Sequence, residues 1–125
     1  MKRLGIVVLA LMALGSGFQR SMTLLGALKI GVFRGLAGGA LTAPALARKI
    51  GADSRKLSIL LDALAALGLL SRTGGRYRAS RLAREHLLPG ARSQESLLLH
   101  LLDLWGDWGR LAATIRGGRK ARGGS

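Results

Sequence analysis

Few residues in this 125-residue chain are of types that make or break bonds, and their spacing limits what they can do. Histidine occurs twice, as His86 and His100. A catalytic or metal-binding histidine needs partners that converge on its ring. Glu85 adjoins His86 in sequence, but adjacent residues on a helix point in different directions. Asp103 follows His100 by one helical turn, a spacing that suits a hydrogen bond along a helix face. Both histidines therefore read as packing or surface residues. The six acids are too dispersed to nominate a carboxylate pair, and no serine is placed as a nucleophile. Cysteine is absent, which excludes disulfides and thiolate metal sites. The nearest approach to a nucleotide loop is Gly15-Ser16-Gly17-Phe18-Gln19-Arg20. A dinucleotide fingerprint needs a third small residue where Arg20 stands and an acid about 20 residues later. Neither is present. No catalytic, cofactor or metal site is expected in this chain.

Positive charge is the chemistry the sequence supplies in quantity. Twenty Lys and Arg stand against six Asp and Glu, a formal net charge of +14. Such charge attracts nucleic acid, an anionic membrane or an acidic partner. Arginine outnumbers lysine, and with the excess of Ala, Gly and Leu this fits a high-GC coding bias equally well.

The elements that would carry these residues are mostly helical. The hydrophobic share is 49% with only 4% aromatics, so the core must be built from Leu, Ala, Ile and Val. Leu and Ala are strong helix formers. Residues 4–14 are apolar on all sides and follow Lys2 and Arg3; the run reads as a buried first helix, with a signal-like segment as the alternative, and it is too short for an ordinary membrane span. A break or kink is expected at Gly15-Ser16-Gly17. A second helical run is expected over 18–36, with Phe18, Met22 and Leu25 on one face. Thr42 and Pro44 open a short helix, Gly51 turns the chain, and Asp53 or Ser54 caps a helix to about Leu67. Its buried stripe is expected to be Leu57, Leu60, Leu61, Leu64 and Leu67. Two helices joined by a tight turn form a helix-turn-helix. Residues 69–72 and 76–79 flank Gly74-Gly75, a β-hairpin signal, and a hairpin directly after a helix-turn-helix is a wing. Ser80 caps another short helix, ended by Pro89-Gly90. The last helix is expected over 97–115. Leu97, Leu101, Leu104, Trp105, Trp108, Leu111 and Ile115 line one side, and Leu98 and Leu102 extend the apolar surface to a second. A helix this apolar must be covered on more than one side. Residues 117–125 read as a basic, glycine-rich tail.

The fold class that follows is mainly α: a winged helix-turn-helix with additional N- and C-terminal helices and one β-hairpin. Residues 1–16 form an apolar N-terminal helix, 17–116 the winged-helix domain and 117–125 the tail.

A winged helix suggests DNA. Its second helix would enter the major groove and its wing would follow the backbone. Arg55, Lys56, Ser58, Arg72, Arg76 and Arg78 stand where such contacts would fall. Ile59, Ala63 and Ala66 on the same helix make a poor reading surface, and Asp62 repels phosphates. A DNA-binding transcriptional regulator is therefore the alternative reading.

Gly17-Phe18-Gln19-Arg20-Ser21, leading into Leu24-Leu25-Gly26-Ala27-Leu28-Lys29-Ile30-Gly31-Val32-Phe33, resembles the opening helix of the N-terminal dimerisation domain of bacterial small-molecule O-methyltransferases. Leu41-Thr42-Ala43-Pro44-Ala45-Leu46-Ala47 is similar to that family's next helix. The stretch 60–70, followed by Gly74-Gly75-Arg76-Tyr77-Arg78, resembles its third helix and wing. His100-Leu101-Leu102-Asp103-Leu104-Trp105 resembles the long helix after them, and 115–119 the linker into the catalytic domain. The resemblance covers roughly residues 12–122 and rests on order and spacing. It implies a homodimer formed through the first and last helices, with Phe18, Met22, Leu25, Leu98, Leu102, Trp105 and Trp108 at the interface. In the family this domain helps close the acceptor pocket, the methyl donor is S-adenosylmethionine, and the location is cytoplasmic, away from membranes. This sequence holds no methyltransferase domain after residue 119, so it reads as a truncated gene, a fragment or an isolated domain, inactive alone.

Overall fold

The computed structural model describes residues 2–90 and 92–117, so all but residue 117 of the expected tail lies outside the described residues. Helix α1 (Lys2–Ser16) is followed by α2 (Phe18–Ile30) with only Gly17 between them. The boundary falls within the expected break or kink, although the backbone there stays close to helical. Gly17 holds φ −56° and ψ −26°, right-handed helical values. Glycine weakens a helix by about 1 kcal/mol, which does not end one flanked by strong formers. What ends α2 is Gly31, at φ 89°, a left-handed conformation that only glycine enters freely. The run expected over 18–36 is thus two helices, α2 and the short α3 (Val32–Gly35).

Strand β1 (Leu41–Thr42) was not expected from the pattern, because two residues carry no period-2 signal. Thr42 then caps α4 (Ala43–Ile50), its hydroxyl accepting the Ala45 N–H at 3.2 Å. Gly51, at φ 73°, turns the chain toward α5 (Ser54–Ala66). There the Asp53 carboxylate accepts the Lys56 N–H at 2.8 Å. Helix α5 closes with Gly68 at φ 82°. The Leu69 N–H reaches the Leu64 carbonyl and the Gly68 N–H the Ala65 carbonyl, both at 3.0 Å, the paired bonds of a Schellman ending.

The wing is β2 (Leu70–Thr73) and β3 (Arg76–Ala79). Gly74 and Gly75 have φ 57° and 78°, the two positive angles a two-residue hairpin of matching twist requires. β1 adds to the far side of β3, pairing Leu41 with Tyr77 and Thr42 with Arg76, so the sheet has three antiparallel strands in the order β1-β3-β2. Ser80 caps α6 (Arg81–His86). The expected final helix starts two residues early, as α7 (Glu95–Gly109), and is interrupted at Arg110 before α8 (Leu111–Ile115).

The core lies between α2, α3, α4, α5 and the inner sheet face, around Leu28, Val32, Phe33, Leu46, Leu57, Leu61, Leu64 and Tyr77. Leu67, placed in the buried stripe by spacing, follows the last residue of α5 and is 40% exposed. Gly35 is where α3 and α4 approach most closely: a Cβ there would stand 2.5 Å from Leu46 Cδ1 and 3.1 Å from Ile50 Cγ2. Arg3–Ile30 is one helix long and apolar enough to cross a membrane by length and composition, and its most apolar stretch is unburied.

Candidate functional site

One uncovered surface is apolar. Along α7 and α8, Leu97, Leu101, Leu104, Trp108, Leu111 and Ile115 are exposed. Their spacings of three and four place Leu97, Leu101, Leu104 and Trp108 in one stripe along α7, and Leu111 and Ile115 on one face of α8 beyond the interruption at Arg110. Leu98, Leu102 and Trp105, named as interface residues from the sequence, lie on the adjoining face and are half-buried. Leu98 and Leu99 pack against the core. Because α7 is apolar over both faces, spacing alone could not say which face its own chain would cover. Packing on α2 decided it, turning the 98/102 face inward and the 97/101/104/108 stripe outward.

The first helices show the same division. Leu25, expected at the interface, is 4% exposed and already buried by its own chain. Met22 is half-buried, and Phe18 is open at 51%. In α1, Leu4, Ile6, Val7, Val8, Leu9, Leu11, Met12 and Leu14 are all exposed.

One ion pair fixes α7 in place. The Arg34 guanidinium donates to both Glu95 oxygens, from Nε at 3.0 Å and Nη2 at 2.9 Å. This joins α3 to the first residue of α7. Glu95 is 8% exposed, and a bidentate arginine supplies the donors such a buried carboxylate needs. The contact raises the Arg34 pKa, first through the hydrogen bond and then through the charge of Glu95. The two residues are 61 apart in sequence, and no local pattern announces the pairing.

On the helix-turn-helix, Arg55 and Lys56 are exposed near the start of α5, with Ile59 at 67% exposure. Arg72 is not a free cation. Its Nη1 donates to Asp62 at 3.0 Å, and its guanidinium lies 5.3 Å from the centre of the Tyr77 ring. The Tyr77 hydroxyl donates to the same carboxylate oxygen at 2.6 Å. Burial pushes the phenol pKa up, Asp62 adds to the rise, and Ser58 offsets part of it. Asp62, read from the sequence as a source of phosphate repulsion, thus ties the wing to α5. Arg76 and Arg78 are exposed on β3. His86 is half-buried and His100 exposed. Among the described residues no three of His, Asp and Glu gather to hold a metal.

Residues 12–89 match the O-methyltransferase dimerisation domain. The chain belongs to that family. Its dimerisation domain is 42% identical over 77 residues to 3-hydroxy-5-methyl-1-naphthoate 3-O-methyltransferase of Streptomyces sahachiroi, covering 62% of this chain and 22% of that protein. It is 40% identical over 112 residues to acetylserotonin O-methyltransferase of Rattus norvegicus, covering 87% of this chain and 26% of that one. Among solved structures, an O-methyltransferase family protein from Burkholderia thailandensis superposes with a TM-score of 0.79 at 31% identity, over 87% of this chain and 33% of that one. Human N-acetylserotonin methyltransferase, in complex with SAM, superposes at 0.78 and 32% identity, over 90% and 35%. The chain therefore spans between about a fifth and about a third of the length of these relatives. The family match begins within α1 and leaves residues 1–11 outside it.

Proposed function

We propose that the chain forms a homodimer through the outer stripe of α7 and α8 together with α1 and Phe18. The supporting observation is the set of exposed apolar side chains on α7 and α8, Leu97, Leu101, Leu104, Trp108, Leu111 and Ile115, with Trp108 67% exposed. Apolar area of this kind on a small domain marks a partner surface. Covering six large side chains contributes on the order of 10 kcal/mol gross, enough to offset an association cost of roughly 4–15 kcal/mol once α1 and Phe18 add their area. Trp105, Leu98 and Leu102 then support the interface from beneath, and Leu25 shapes it from within. The same pairing would cover the exposed apolar side chains of α1, as a cytoplasmic location away from membranes requires.

By itself this domain has no catalytic role. In a whole enzyme it would serve an O-methyl transfer by positioning one subunit against the other and lining part of the acceptor pocket. S-adenosylmethionine would supply the methyl group.

Sedimentation velocity on the purified chain at micromolar concentration tests the proposal. The expected result is a dimer, converted to monomer by Leu101→Glu with Trp108→Glu. A soluble wild-type monomer at that concentration would overturn it.

A further inference from the structure

A second feature of the surface is polar and lies on the outer face of the wing sheet. In an antiparallel pair, residues directly opposite share a face. Ser71 stands opposite Arg78, Thr73 opposite Arg76, and Thr42 opposite Arg76 on the other side. Two arginines are thus flanked by hydroxyls on one face, while Tyr77 and Ala79 fill the other. Arg76 and Arg78 are two residues apart along β3, about 6.7 Å.

The face is concave. Ala40, Ser71, Thr73, Arg76 and Arg78 line a hollow of about 310 Å³. Arg78 also borders a second hollow of about 220 Å³, with Gly38, Gly39 and Arg84. A third, of about 160 Å³, shares Gly38, Gly39 and Ala40 with these and ends at Lys49. Two of the four cations are already oriented. The Arg84 Nη1 donates to the Ala79 carbonyl at 2.8 Å, and the Lys49 ammonium to the Gly35 carbonyl at 2.9 Å. These bonds hold the side chains beside the glycine loop without neutralising them. All six acids lie among the described residues, and none lines these three hollows. Four cations, hydroxyl donors and a glycine-flanked backbone with no carboxylate form a surface suited to anionic oxygens. No aromatic ring lines it, so it would hold phosphoryl groups and leave a base unread.

We propose that the outer face of the wing sheet and the loop over residues 36–41 bind phosphoryl groups in a row, through Arg76 and Arg78 with Arg84 and Lys49 beside them. Such groups come either from a free polyphosphate or from a nucleic-acid backbone. The probes are inorganic tripolyphosphate, followed by calorimetry, and a short fluorescein-labelled DNA duplex, followed by anisotropy, each with the full chain at several salt concentrations. Wild type is compared with Arg76→Ala/Arg78→Ala and with a charge-matched control on exposed residues outside the three hollows and the helix-turn-helix, Lys29→Ala/Arg92→Ala. Circular dichroism verifies folding, and Ser71→Ala/Thr73→Ala supplies a second variant of the face that leaves the charge unchanged. The wing arginine pair should weaken binding of at least one probe about tenfold or more. With the duplex, it should lower the salt slope by about 2; the control should leave both nearly unchanged. Binding of tripolyphosphate alone identifies a free polyphosphate as the source, and binding of the duplex a nucleic-acid backbone. Equal losses in the wing variant and the control would show that only the net charge acts, and would overturn the site. So would the absence of binding to both probes at low salt. Dimerisation is read separately by sedimentation, so either proposal can fail alone.

Discussion

Gly35 offers the sharpest test of how this fold is assembled. It is buried, and its missing side chain lets α3 lie against α4. Alanine there would place Cβ 2.5 Å from Leu46 Cδ1, well inside contact distance. Leu46 is fully buried and cannot swing into solvent, so the strain must be taken up by packed neighbours. Overpacking of this kind costs about 1–3 kcal/mol. Leu46→Ala alone leaves a cavity and costs about 3 kcal/mol. In Gly35→Ala/Leu46→Ala the new methyl enters the space the leucine vacates. The double variant should therefore be more stable than the sum of the single changes allows, by at least about 1 kcal/mol. Urea unfolding at one fixed protein concentration measures all four proteins, the fixed concentration being needed because dimerisation adds to apparent stability. Strict additivity would refute the close approach, and with it the account of how the helix-turn-helix is seated.

The Tyr77 hydroxyl bond to Asp62 makes a second prediction. Tyr77→Phe should cost about 1–2 kcal/mol, read by thermal or urea unfolding. Because burial raises the phenol pKa above its ordinary 10.0, the folded state retains that proton longer than the unfolded chain. Stability from this source is full below pH 10 and falls as pH rises through the folded value; the phenylalanine variant should lack this alkaline loss. Glu95→Gln removes the charge that Arg34 grips with two donors, so amide hydrogen exchange over residues 98–102 should quicken while exchange in α5 holds. Gly75→Ala forces a side chain into φ 78° and should cost about 1 kcal/mol, whereas Gly74→Asn should be nearly neutral because asparagine tolerates that conformation.

Much of this chain is legible without coordinates, because the signals are local. Caps at Thr42, Asp53 and Ser80 satisfy backbone groups within three residues, so residue type and position suffice to place them. The Gly74-Gly75 turn is legible for the same reason, since only glycine takes those angles freely. The order of helix, helix and wing could also be read directly. The family was visible in that order.

What the tertiary structure decided is whatever depends on residues distant in sequence. β1 exists because β3 has an edge for it. Arg34 meets Glu95, and Arg72 meets Asp62, only once α3, α5, α7 and the wing are packed. The phase of α7 belongs here too. A helix apolar on two faces gives two equally good stripes, and hydrophobic burial has no direction of its own. Packing on α2 consumes the face of Leu98 and Leu102. That leaves Leu97, Leu101, Leu104 and Trp108 as the surface a second copy would cover.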